Sequence, residues 1–344
     1  MPEWLKARLG WPALRLLVMV GLILGVFSLF LLLQGKDPIR AYRDIGRINL
    51  LNPRGLTEVL VRMSPLLLTA LGVAIPFRAG LINVGAEGQF MLGALVGSWV
   101  ALNLGHLPQP VLLPLAILGG MAGGAAWAAV PGFFRARGWM NETITTLLLN
   151  YVAPLIVGYF VFGPWRAPEL AIYPQTPELP AAARFPILVS GTRLHLGFAL
   201  GLVLLGVYAY VLARTRWGLE LRTVGGNAEA ARRLGLPVSV WVIGAMAVGG
   251  ALAGLAGIAE VAAIHTRLKL AISPGYGFMG FLVNWLAFAN PLGILVMAFL
   301  MALIAASGFT LQITQMLPYA AVNVLMALIL FTVLAKPLAK GGRR

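Results

Sequence analysis

Protein chemistry needs ionisable or nucleophilic side chains within reach of one another, and this sequence has few. Its 344 residues include 11 Asp and Glu, 3 His and no Cys. Without cysteine, disulfides and thiolate metal sites are excluded. His106, His195 and His265 each fall at the end of an apolar run, with no carboxylate paired to them by spacing. No GxSxG, Walker A or metal-ligand spacing occurs. A hydrolase in a membrane needs a nucleophile with a base in reach, or ligands on facing helices. Neither set assembles, so the chain reads as a non-enzyme.

Three polar stretches remain. The first is GLINVGAEGQF, residues 80–90, where Asn83, Glu87 and Gln89 interrupt apolar runs. A carboxylate at a helix centre in lipid costs about 2.5–3.5 kcal/mol on insertion scales, so such residues face a protein interior or a polar cavity. Gly80, Gly85, Gly88 and Gly93 weaken helix continuity and let backbones approach closely. One reading is a broken helix whose polar groups line a translocation path. The other is that Glu87 and Gln89 only hydrogen-bond to neighbouring helices and lock the bundle.

The second stretch is NETITTLLLNY, residues 141–151. Asn141 or Glu142 is placed to cap a helix amino terminus. Asn150 and Tyr151 sit deeper, where they contact a polar solute or find partners inside the bundle. The third is SPGYGFMGFLVNWLAFANPLG, residues 273–293. There Pro274, Gly275, Gly277 and Gly280 precede Tyr276, Phe278, Phe281, Asn284, Trp285, Phe288 and Asn290. Aromatic rings beside amides suit a flat, uncharged, hydrogen-bonding solute; an interfacial aromatic belt is the alternative. The glycine-rich stretches at 80–93 and 275–280 read as counterparts in a weak internal repeat.

The elements that must hold these groups are membrane helices. The chain is 60% hydrophobic and 11% charged, against about 45–50% and 25% in soluble domains. The fold class is all-α and polytopic. Apolar runs predict spans near 14–33, 58–77, 82–104, 110–133, 143–162, 196–213, 238–263, 292–312 and 318–335. The short stretch 275–289, a tilted span or a re-entrant half-helix, makes about ten. Together they form a single membrane domain over 1–344, with its membrane region at 14–335. The formal charge of +15 reads as topogenic. Lys6, Arg8, Arg15, Arg78, Arg135, Arg137, Arg214, Arg216, Arg222, Arg232, Arg233 and the basic tail all fall on the cytoplasmic side. Segment 35–57 carries Lys36, Arg40, Arg43, Arg47 and Arg54 on the outside. It reads as an amphipathic helix on the outer surface, with Ile39, Tyr42, Ile45 and Ile48 at near-helical spacing. The proline-rich 163–194 is an external loop. The charged 214–237 is cytoplasmic and contains a short helix at 228–234 closed by Gly235 and Pro237.

FRAGLINVGAEGQFMLGALVGSWV, NETITTLLLNYVA, RWGLELRTVGGNAEAARRLGL and GYGFMGFLVNWLAFANPLG occur in this order. Together they resemble permease subunits of bacterial ABC importers of the ribose and branched-chain amino acid superfamily, in its nucleoside (simple sugar) branch. The resemblance covers about residues 15–335. It implies a multi-pass subunit of the bacterial inner membrane forming half of a path for nucleosides, or alternatively for a simple sugar. The translocation residues would be Asn83, Glu87, Gln89, Asn150, Tyr151, Tyr276, Phe278, Asn284 and Phe288. It also implies that the 214–237 loop couples to an ATPase through Glu220, Arg222, Asn227, Ala228, Glu229, Ala230, Ala231, Arg232 and Gly235. A merely topogenic basic loop is the alternative. The expected partners are a second, non-identical permease, a cytoplasmic ATPase that hydrolyses the ATP, and an extracytoplasmic substrate-binding protein; the chain itself holds no cofactor. The rival class is a secondary transporter using Glu87 as its ion site without an ATPase.

Overall fold

The computed structural model describes residue 21 and residues 24–169 and 173–317. The expected span at 318–335 and the first part of that at 14–33 lie outside the described residues. The chain divides into two compact units, Met1–Val59 with Leu303–Arg344, and Leu60–Ala302. Among the described residues every regular element is helical, apart from one isolated antiparallel bridge between Ile187 and His195. Among the described residues, six helices are long and apolar enough to cross a membrane.

In the first unit, α1 (Leu24–Leu33) is followed by α2 (Pro38–Ile45) and a π-helical turn, Gly46–Leu51. Asp37 caps α2 by accepting from the Ile39 and Arg40 amides. Phe27, Leu31 and Ala41 share a core with Leu311 and Leu317. Three polar ties fasten the segment: Tyr42 donates to the Leu24 carbonyl, Thr310 to Asn49 and Gln315 to Asp44.

After these come α3 (Pro53–Arg78), which enters the second unit at Leu60, then α4 (Ala86–Asn103), α5 (Gln109–Ala136) and α6 (Glu142–Phe162) before the 163–194 loop. Then come α7 (Leu196–Arg214), α8 (Arg216–Gly226), α9 (Ala228–Arg233), α10 (Val238–Glu260), a π turn at Val261–His265, α11 (Tyr276–Ala287) and α12 (Pro291–Gln315), which returns to the first unit at Leu303. Helix ends follow the sequence. Asn141, Thr215 and Asn227 cap α6, α8 and α9 through side-chain oxygens, and His195 caps α7 through Nδ1.

Backbone contact through glycine holds the centre. A methyl group built on Gly254 of α10 would strike the Gly120 carbonyl of α5, and one on Gly93 of α4 would strike Gly254. Gly250 meets Gly124 and Gly249 meets Gly72 in the same way. Without a hydrophobic drive between helices in lipid, such small-residue seams supply the packing. The result is a close-packed group of α3, α4, α5 and α10, with α10 in the middle.

Contacts sort the helix ends into two sets. At one end Gly225 lies on Arg78 and Gly80, Arg135 pairs with Glu142, and Arg78 reaches the Ala289 carbonyl. At the other, residues 176–185 lie against the turns that follow α10. Thr176 and Leu179 donate to Leu268 and Thr266, and the Phe185 amide to Ala262.

Candidate functional site

Two segments break before they become helices, and they meet. The first runs from Gly80, at φ +75°, through extended residues to the start of α4. Its backbone is tracked by one face of α6, where Glu142, Thr146 and Asn150 recur at four-residue spacing. Glu142 accepts from the Ile82 amide at 3.4 Å while its other oxygen lies 3.1 Å from Arg135 Nε. Thr146 accepts from the Val84 amide at 3.3 Å. The Asn150 amide donates to the Val84 carbonyl and accepts from the Gly88 amide, both at 2.8 Å. Asn83 and Gln89 close a reciprocal amide pair at 3.0 and 2.9 Å. Asn83, Gln89 and Asn150 are all buried. Their donors and acceptors satisfy an irregular backbone that lipid could not solvate.

The second broken segment runs from Thr266 to Gly275 and opens α11. An α-helix begins with four amides that lack an intrahelical partner, and here each has one. Ser273 Oγ accepts from the Gly275 and Tyr276 amides at 3.0 and 2.9 Å. The Glu87 carboxylate accepts from the Gly277 amide at 2.7 Å, and the Phe278 amide and Ser273 hydroxyl also reach it. The first intrahelical bond is then Met279 to Gly275. Glu87 is thus the cap of a helix 190 residues further along the chain. A carboxylate is favoured there by the helix dipole as well as by the bonds. Gly277 has no room for a side chain, because an added methyl would strike the Glu87 backbone.

The junction is deep. Thr69 of α3 donates to the Tyr276 carbonyl at 3.1 Å. Thr69 lies about nine residues, or ~13 Å, along α3 from Arg78, well inside this 26-residue helix. The other end of α11 is held too. Phe288 and Ala289 both take positive φ, 50° and 53°, and the Ala289 carbonyl accepts from Arg78 Nη2 at 2.7 Å and the Tyr208 hydroxyl at 2.8 Å.

The side chains singled out from the sequence therefore divide. Asn83, Glu87, Gln89, Asn150 and Tyr276 belong to one connected cluster, in which Glu87 alone is part-exposed. Phe278 and Phe288 lie on the exposed face of α11, with Phe281 and Trp285 stacked between them at 5.7 Å. Asn284 is fully buried, and neither of its amide atoms has a partner among the described residues. Tyr151, one residue on from Asn150, points away at 70% exposure.

Three residues were missed. Ser273 was readable as a serine three residues before Tyr276. Glu260 and His265 were not: the π turn brings them to 3.7 Å, and i to i+5 contact is peculiar to that geometry. The expectation that His265 lacks a carboxylate beside it is corrected accordingly.

The 214–237 segment forms two short helices. Asn227 accepts from the Glu229 and Ala230 amides, both at 3.0 Å. Glu229 lies 3.4 Å from Arg232 and 3.6 Å from Arg233. Gly235, at φ +82°, ends α9, with the Leu236 amide bonded back to the Ala231 carbonyl. Ala231 is buried and Glu220 and Ala228 are half-buried, while Arg222, Asn227, Glu229, Ala230, Arg232 and Gly235 are exposed. Gly225, near the end of α8, packs directly on Arg78 and Gly80, where the first broken segment begins.

Residues 55–334 match the family described as branched-chain amino acid transport system / permease component. The chain is 35% identical to a glucose ABC transporter permease protein of Haloferax volcanii, over 99% of this chain and 90% of that protein. It is 30% identical to a nucleoside ABC transporter permease protein of Lactococcus lactis, over 93% and 89%. It is 28% identical to a guanosine ABC transporter permease protein of Bacillus subtilis, over 92% of each.

Proposed function

The chain belongs to the branched-chain amino acid transport system / permease component family, and on that premise we propose that it is the membrane subunit of an ATP-driven importer, forming half of a path for nucleosides. The observation that carries this reading is the junction of two broken segments, capped by Glu87 and continued by the aromatic face of α11; the proposed topology puts it near mid-membrane. Broken helices whose ends meet at the bilayer centre are where transporters place their solute sites. Phe278, Phe281, Trp285 and Phe288 offer ring faces to a flat base, and Glu87 and Ser273 offer polar contacts at its edge. Asn83, Gln89 and Asn150 act from behind, by holding the backbone that presents Glu87.

The same reading places the Arg78 end in the cytoplasm, where most Arg and Lys collect. The segment 266–289 then counts as a full crossing, irregular in its outer half and helical in its inner half. With α1, α3 to α7, α10, α12 and the expected 318–335 span, this gives ten crossings in the bacterial inner membrane. α9 docks on a cytoplasmic ATPase through Asn227, Glu229, Ala230 and Arg232. Displacement of α9 moves α8, Gly225 bears on Gly80, and the 80–85 segment carries the movement to Glu87 and the start of α11. This is a contiguous physical path between two sites. A second, non-identical permease and an extracytoplasmic binding protein complete the assembly.

A sugar is the second reading of the cargo, favoured by the glucose permease relative at 35% identity. Stacked rings also suit the apolar face of a pyranose. Uptake of labelled nucleosides and glucose by cells lacking the gene, complemented with wild type or Glu87→Ala and with ATP depleted or intact, tests the proposal. ATP-dependent nucleoside uptake that needs the gene supports it. Loss of glucose uptake alone moves the cargo to the sugar. ATP-independent uptake abolished by a proton uncoupler refutes the class.

A further inference from the structure

We propose that α2 and the π turn after it form a binding site for anionic phospholipid headgroups. Arg40, Arg43 and Arg47 stand at i, i+3 and i+7 and are all exposed, and Arg54 follows, also exposed, in the first turn of α3. None of the four side chains has a carboxylate or hydrogen-bond partner among the described residues. The nearby acids are turned to other uses, since Asp37 caps α2 and Asp44 accepts from Gln315. The segment is not loose. Ala41 is fully buried, and Tyr42, Asp44 and Asn49 bond to Leu24, Gln315 and Thr310. The guanidinium groups are therefore presented from a fixed backbone, and each offers paired donors that match phosphate oxygens.

What covers the surface is indicated by the apolar residues interleaved with the cations. Ile39 is 71% exposed and Leu51 79%, with Leu50 beside them. α1 ends immediately upstream in Leu32 and Leu33, which are exposed as well. Cations and bare aliphatic side chains on one short ribbon fit the boundary between headgroups and acyl chains. A soluble acidic protein would cover the cations and leave Ile39 and Leu51 against its charges. On the proposed topology these cations oppose the usual bias of Lys and Arg to the cytoplasmic side. Lipid retention itself does not depend on the direction of transport, on the cargo or on which leaflet is involved.

The test is retention of phosphatidylglycerol against phosphatidylcholine by the full chain in its assembled complex, released from detergent and weighed by native mass spectrometry. Wild type is expected to keep phosphatidylglycerol selectively and to lose it as salt is raised. Changing Arg40, Arg43 and Arg47 together to Gln should weaken retention by about fivefold per cation, on the order of 100-fold in all. The triple Lys variant should keep retention within about tenfold of wild type, which separates charge from shape. If the Gln variant fails to assemble, the Lys variant and the salt dependence of wild type decide the matter. Equal retention of the two lipids by wild type overturns the proposal. So does full competition by millimolar inorganic phosphate, which would mean a free-anion site. Loss of a soluble partner from the Gln variant with lipid retention unchanged overturns it in favour of protein docking.

Discussion

Replacing Glu87 with Ala would remove the group that caps α11 from outside its own segment. The Gly277 amide at 2.7 Å would lose its acceptor, as would the Phe278 amide. A hydrogen bond to a charged group contributes about 1.5–3 kcal/mol, and an unpaired buried donor costs about 1–3 kcal/mol. These describe the same loss, so the first turn of α11 should open more easily by about 2–3 kcal/mol. At 1.36 kcal/mol per decade, that is roughly 30- to 150-fold faster hydrogen exchange. Exchange mass spectrometry of the complex in lipid nanodiscs would read it in peptides covering 273–283. Glu87→Gln keeps an acceptor but loses the charge facing the helix dipole, about 1 kcal/mol, and should accelerate exchange only about fivefold. Peptides from α5 and α10, packed through Gly124, Gly250 and Gly254, should not change. Unchanged exchange at 273–283 in the Ala variant would refute the capping role. A uniform rise across α5 and α10 would mean instead that Glu87 holds the whole bundle.

Gly254→Ala and Gly244→Ala, both in α10, should have opposite effects on thermal stability. The first drives a methyl into the Gly120 carbonyl, whereas the second meets nothing within 4 Å and gains about 0.5–1 kcal/mol from reduced chain entropy; equal melting temperatures would dismiss the glycine seam. His195 is buried, which pushes its imidazole down from 6.5 to about 4, and its Nδ1 must stay unprotonated to accept from Gly197. Its contribution is therefore intact above pH 6.5 and lost as pH falls toward 4, by up to about 3 kcal/mol. His195→Ser, which keeps a capping oxygen, should flatten that part of the melting-temperature profile, and an unaltered profile would count against this assignment. Changing Glu229 and Arg232 together to Ala removes an exposed pair that contributes about 0.3–0.5 kcal/mol. Stability should hold while transport falls tenfold or more, and undiminished transport would tell against docking through α9.

The polar stretches could be found from the sequence because an amide or carboxylate in an apolar run is costly wherever it sits, and that cost belongs to the residue alone. What each one does depends on backbone that the cost does not reveal. Asn83 and Gln89 pair because residues 80–85 run without regular secondary structure ahead of α4, so their amides are occupied with each other. Asn150 and Tyr151 are adjacent in sequence, but a helix turns about 100° per residue, and the rail of Glu142, Thr146 and Asn150 selects a face that excludes Tyr151. That division was already implicit in the four-residue spacing. The pairing of Glu260 with His265 was not, because it needs a π turn that no local pattern announces. For Glu87 the sequence left two alternatives, path lining or helix-packing glue; the structure shows a contact of the second kind, and path lining belongs to the proposed function. Its carboxylate caps α11 while staying part-exposed at the junction of both broken segments. Any movement that separates Gly277 from Glu87 therefore uncovers the Gly277 and Phe278 amides and a carboxylate together. On the proposed function, a polar solute arriving there would find donors and an acceptor that had satisfied each other a moment before, and a closed wall would become a binding surface without gaining a residue.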